Sequence, residues 1–157
     1  KRWESIYLIP RIFVYDNRIK DLQYQILYLF VPTNRLLYQM KKIASDKCDF
    51  CFLQKETLYH LFFECVKLRS LGFYVEEQCK YLCNEIIHLT CKDVILGYKF
   101  NENLNDKQVM INKIILYCKY YIWKSQKIDR IPSVQGFKSA LEQHKTFDSA
   151  LHKYINT

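Results

Sequence analysis

Three glycines and three prolines are all that 157 residues contain. A chain with so few obligatory turns favours long helices over a many-stranded β architecture. The length suits one ordinary domain with a sizeable core. Apolar residues make up 50% and charged residues 25%, the balance of a folded protein rather than a disordered one. Aromatics reach 16%, with 13 Tyr and 10 Phe. The expected fold class is mostly α.

Apolar periodicity places the helices. After a lead-in up to Pro10, Asp16-Asn17 is a helix-start signal, and Ile19, Leu22, Ile26, Leu29 and Phe30 form one stripe that Pro32 should stop. Thr33 or Asn34 can cap a second helix whose Leu37 and Met40 face inward. A third helix is expected from His60 to about Leu71, with Leu61, Phe62, Phe63, Val66 and Leu68 available to the core and Gly72 as its breaker. Val75, Cys79, Leu82 and Ile86 mark a fourth, and "CKDVILGYKF" reads as a short helix or a strand. Asn105 can cap the longest helix, residues 107–127, with Ile111, Ile114, Ile115, Cys118 and Ile122 on one face. Pro132-Ser133 starts a last helix carrying Phe137, Leu141, Phe147 and Leu151.

Between the second and third helices lies "CDFCFLQKETLYHLFFEC", with the spacing C-x2-C-x8-H-x4-C in Cys48, Cys51, His60 and Cys65. A structural zinc site takes four thiolate or imidazole ligands in a closed tetrahedron. Two cysteines two residues apart bring both sulfurs to one side of a tight turn, and the polar "LQKET" spacer reads as an exposed loop leading to a His and Cys on a helix. One structural zinc ion is the expected cofactor. A thioredoxin-like pair would need a βαβ context that is not visible. A cysteine nucleophile activated by His60 would need an orienting partner and a cleft. The remaining alternative is four unrelated buried residues. A second set, Cys79, Cys83, His88 and Cys91, is weaker, because its first two members lie at i and i+4 on an apolar stripe where cysteine serves as a small hydrophobe. Cys118 reads as core, and His144 and His152 as surface.

The net charge of +8 is unevenly placed. Residues 1–50 carry nine Lys/Arg against five acids, residues 107–130 six against Asp129 alone, while residues 51–106 are mildly acidic. Two basic segments point to a polyanionic partner, with ordinary solvated helix faces as the alternative. Candidate phosphate contacts are Arg11, Arg18, Lys20, Arg35, Lys41, Lys42 and Lys47, then Lys113, Lys119, Lys124, Lys127 and Arg130, with Lys41 and Lys42 the leading pair. Tyr120 and Trp123 are candidate stacking surfaces, although aromatics at helical spacing more often belong to a core. An odd count of seven cysteines favours a reducing, intracellular compartment, and no apolar run is long enough to span a membrane. The chain starts at Lys1 rather than Met, which points to a piece of a larger protein.

The cysteine segment resembles the C-terminal zinc-binding segment of non-LTR (LINE-type) retrotransposon reverse transcriptases, through Cys48, Cys51, Glu56-Thr57, His60-Leu61-Phe62 and Cys65. "RWESIYLIP", "LQYQILYLFVPTNRLLYQM", "CKDVILGY" and "INKIILYCKYYIWKSQ" are similar to flanking phrases of that family in the same order. The resemblance implies a single C-terminal domain of a polyprotein: a basic helical lead-in (1–47), the CCHC motif (48–65) and a helical tail (66–157). It implies Cys48, Cys51, His60 and Cys65 as zinc ligands, RNA or DNA and the polyprotein's own polymerase and endonuclease domains as partners, and residence in a cytoplasmic ribonucleoprotein and the nucleus. It implies a part in target-primed reverse transcription, in which RNA is copied from a nick in chromosomal DNA. The paired aspartates of nucleotide addition are absent from this chain, so the segment itself is expected to be no enzyme. Two functions remain in view: a zinc-stabilised nucleic-acid-binding domain, or a docking module packed on the polymerase body.

Overall fold

The computed structural model describes residues 2–98 and 105–155. Around one central helix it arranges α1 (Arg2–Phe13), α2 (Asn17–Leu27), α3 (Asn34–Gln39), α4 (Arg69–Cys83), α5 (Cys91–Leu96), α6 (Asp106–Lys127) and α7 (Val134–Ile155). No strand occurs among the described residues, so the protein is mostly helical, with the cysteine–histidine segment between α3 and α4.

The central helix is α6, which packs against α1, α2, α4 and α7. Residues 114–120 are buried without a break, so its middle is enclosed all round rather than on the single face the periodicity predicts. Asn105 caps its start, accepting from the Gln108 amide at 2.8 Å. Asn112, buried on this helix, clasps the backbone of Tyr98 through both amide atoms and so ties down the chain leaving α5. Ile9, Phe13, Ile19, Leu22, Ile26, Val75, Cys79 and Phe137 supply much of the surrounding core. Cys79, Cys83 and Cys118 are buried there as small hydrophobes, as expected. The phrase 91–96 resolves as helix, with Thr90 and Asp93 forming a capping box.

Several expectations change at helix ends. Residues Arg2–Phe13 are helical through Pro10, because Ile9 and Phe13 both enter the core. Helix α2 ends at Leu27, well before Pro32. The Phe30 amide bonds to the Gln25 carbonyl (2.7 Å) and the Leu29 amide to that of Ile26, with Leu29 at φ 56°, which is a Schellman ending. That turn leaves Leu29 and Phe30 63% and 75% exposed instead of extending the stripe. The same motif closes α3, with Lys41 left-handed and the Lys42 amide on the Leu37 carbonyl; Met40 is turned outward. It closes α6 as well, with Asp129 left-handed. Gly72 lies inside α4, not after a helix, and Leu82 and Ile86 are exposed while Cys83 takes the core position. His88 is exposed beside Glu76 (3.7 Å), away from any ligand cluster. His144 is half-buried and stacked on Tyr117 at 4.7 Å rather than on the surface. The side chains of Phe147, Leu151 and His152 lie outside the described residues.

Candidate metal centre

The segment after α3 folds as a small hairpin. The Glu56 amide bonds to the Asp46 carbonyl (2.8 Å) and the Cys48 amide to that of Gln54 (2.8 Å), and Lys47 and Lys55 form an antiparallel bridge. At its end the Phe52 amide closes on the Cys48 carbonyl at 2.9 Å, with Phe52 left-handed at φ 57°. This tight turn sets Cys48 and Cys51 side by side. Thr57 then caps a helical turn, its hydroxyl accepting from the His60 amide at 3.1 Å. Residues His60–Glu64 form a π-turn, and the Cys65 amide bonds to the His60 carbonyl (3.1 Å). In an α-helix, residues five apart would point about 140° away from each other. Closing the turn at i+5 brings Cys65 back over His60. The x4 spacing works because the helix is widened there, a feature that periodicity does not reveal.

The four ligand atoms lie within 4.8 Å of one another, and all four residues are buried. Cys48 Sγ and Cys65 Sγ are 3.9 Å apart, and Cys51 Sγ and His60 Nε2 are 3.4 Å apart. A tetrahedral ion with metal–sulfur bonds of about 2.3 Å and metal–nitrogen bonds of about 2.05 Å requires edges of about 3.8 Å and about 3.6 Å. The cluster therefore fits a single metal ion. Burial pushes the Cys48 and Cys65 thiols above their ordinary value and the His60 imidazole below its own. Cys51 goes the other way: burial is the largest single influence and works to raise it, but the amides of Gln54 and Leu53 together with the Cys48 and Cys65 side chains hold the thiol low. Amides of Cys51 and Phe50 likewise face the Cys48 sulfur, and that of Lys67 faces Cys65. Backbone donors aimed at sulfurs stabilise thiolates, the form that binds a metal. His60 Nδ1 is buried with no hydrogen-bond partner, so packing rather than a carboxylate behind it fixes the ring.

Glu56 departs most from the sequence reading. It belongs to the spacer expected to be an exposed loop, yet it is fully buried. Its carboxylate accepts from the Asn34 amide (3.0 Å), the Asp49 amide (3.3 Å) and the Gln126 side chain (3.3 Å). Its carbonyl accepts from the Arg35 amide (3.1 Å). Asn34 adds a bond to the Lys47 carbonyl (2.8 Å), and Gln126 one to Asp49 (3.3 Å). One buried carboxylate thus joins α3, the hairpin and the last turn of α6, and burial raises its pKa. Composition gave no hint of this role. The Glu56-Thr57 pair within the motif was the available signal.

The basic residues fall into distinct settings. Lys41 and Lys42 are exposed at the α3 Schellman turn. Arg35 is paired with Asp46 at 2.8 Å, and the Lys47 ammonium donates to the Leu53 carbonyl at 3.2 Å. Arg18 bonds Asp16 at 2.8 Å and lies over the Tyr120 ring, which Lys124 also approaches at 5.9 Å. Lys20 is half-buried, and Arg11 and Arg130 are exposed. Lys119 is a correction. It is 2% exposed, donates to the side-chain amide oxygen of buried Gln23, and cannot reach a phosphate. Tyr120 is buried, and half-buried Trp123 has the Lys127 ammonium over its ring at 4.1 Å, so neither offers an open stacking face. The bonds from Gln126 to Asp49 and Glu56 bring the cationic end of α6 against the hairpin, across 77 positions of sequence.

No family model, curated protein or solved structure matches this chain. No described helix is long and apolar enough to cross a membrane.

Proposed function

We propose that the chain is a zinc-stabilised nucleic-acid-binding domain, of the kind that ends a LINE-type reverse transcriptase polyprotein and assists target-primed reverse transcription. The supporting observation is convergence. The last turn of α6, from the second basic stretch, is tied to the hairpin that follows the first, because Gln126 is hydrogen-bonded to Asp49 and Glu56. Exposed Lys127, the residue after Gln126, acts electrostatically on Glu56, and Lys41, Lys42 and Lys47 are exposed on the chain that leads into the hairpin. Clustered cations without a built catalytic constellation suit phosphate-backbone contact. Zinc is the favoured ion because three sulfurs and one imidazole in a closed set match its structural sites. In this reading the ion catalyses nothing; it orders the hairpin. The partners are RNA or DNA and the rest of the polyprotein, inside the cell.

The test measures zinc content, then binding of RNA and single-stranded DNA against salt, for the wild type and for Lys41→Ala/Lys42→Ala. Stoichiometric zinc is expected. The double variant should bind more weakly and lose about two from the salt slope, since each phosphate contact contributes about one. Stoichiometric zinc with no salt-dependent binding would leave the docking module. One observation favours that second reading: Tyr28, Leu29 and Phe30 are consecutive and all at least 63% exposed, an apolar patch suited to packing on another domain.

A further inference from the structure

We infer that the hairpin tip, Phe52-Leu53, is a wedge that stacks on an unpaired base of a single-stranded nucleic acid whose phosphates rest on the neighbouring lysines. The inference deepens the nucleic-acid reading above and rests on it. Phe52 is 71% exposed and Leu53 68% exposed, side by side at the hairpin tip. The backbone that carries the Phe52 ring is fixed rather than loose. Its backbone is fixed in the left-handed region by the amide bond to the Cys48 carbonyl, between one pair of metal ligands and the return strand of the hairpin. A bulky residue in that region carries a conformational cost that glycine would avoid. A tip whose backbone is already fixed loses less freedom on binding than a loose loop would.

Charge selects the occupant. Lys47 and Lys55 face each other across the hairpin, and the Lys47 ammonium sits on the carbonyl of Leu53 itself. Asp46, beside this bridge, is engaged by Arg35 at 2.8 Å and approached by Lys55 at 4.0 Å. An apolar protein surface gains nothing from these cations, whereas a single strand presents phosphates and π-faces together. Every base has such a face, so the contact is tolerant of sequence.

The experiment uses the full zinc-loaded chain and two fluorescent strands of equal length and charge, one carrying bases and one abasic, in both RNA and DNA form. Wild type should bind the base-bearing strand about tenfold more tightly, the size of one aromatic–base stack. Phe52→Ala should erase that preference and keep the salt slope and zinc content, while Phe52→Tyr should retain the preference and so separate loss of the ring from loss of the fold. Persistence of the full preference in Phe52→Ala overturns the wedge. Equal, salt-dependent binding of both strands by the wild type also overturns it but leaves phosphate contact standing. Absence of salt-dependent binding to either strand removes the nucleic-acid reading, and the wedge with it.

Discussion

Replacing Glu56 by alanine should damage the fold more than any exposed substitution in the hairpin. The carboxylate is fully buried and accepts three hydrogen bonds. Gln126 keeps Asp49 as a partner after the change, but the Asn34 and Asp49 amides lose their acceptor. A buried donor left unsatisfied costs about 1–3 kcal/mol, so two cost about 2–6 kcal/mol. With a urea m-value of about 2 kcal/mol/M, the unfolding midpoint of the metal-loaded protein should fall by about 1–3 M. Glu56→Gln keeps an oxygen for Asn34 but turns an NH2 toward the Asp49 amide, so it should fall between the wild type and alanine. Metal retention against a chelator should weaken in the same order, because Asp49 lies between two of the ligands. A midpoint shift below about 0.25 M for Glu56→Ala would refute the claim that this carboxylate organises the site.

Two further outcomes follow from buried features away from the metal. Burial holds Lys119 down to about 7 from 10.5. The unfolded state therefore binds more protons between those values, and this group makes stability rise with pH across pH 7–10.5 by up to about 1.4 kcal/mol per unit. Lys119→Met removes that dependence. Relief of the buried charge exceeds the loss of the Gln23 contact, so at pH 7 the variant should be more stable by about 1–3 kcal/mol, an advantage that shrinks toward pH 10 in paired denaturation curves. Gly97→Ala should destabilise by about 2–6 kcal/mol in the same assay: φ is +119°, and a Cβ would run into the Ile9 side chain.

Helix existence was legible in the sequence, whereas helix ends and the hub of the site were not. Asp16, Thr33 and Asn105 cap helices where a side-chain oxygen announces a start. Ends carried no such mark. Helices α2, α3 and α6 all close in Schellman turns whose left-handed residue is Leu29, Lys41 or Asp129 instead of glycine. Without that punctuation the stripe was read through to Leu29 and Phe30, which the turn throws outward. The grouping of Cys48, Cys51, His60 and Cys65 was legible because the geometry a metal ion requires constrains spacing directly. The π-turn that aligns His60 with Cys65, and the burial of Glu56, depend on contacts with α6 that are far away in sequence. Lys119 was misjudged for the same reason: a lysine among apolar residues looks like a solvated break until the helix is seen enclosed on all sides.

The position of the metal matters beyond stability. Between Asp46 and Glu56 only Cys48, Phe50, Cys51 and Glu56 are buried, so the hairpin has almost no apolar core of its own. An ion held by these four residues across the hairpin and the π-turn would supply what this loop lacks, and would order the hairpin lysines and the Phe52 tip before any partner arrives. Linkage then makes the effect reciprocal: if the ion preorganises the cationic face, a bound oligonucleotide must tighten metal retention by the same factor. Chelator competition run with and without a saturating single strand measures that factor. Slower metal loss in the presence of the strand is the expected result, and identical retention would place the ion outside the energetics of binding.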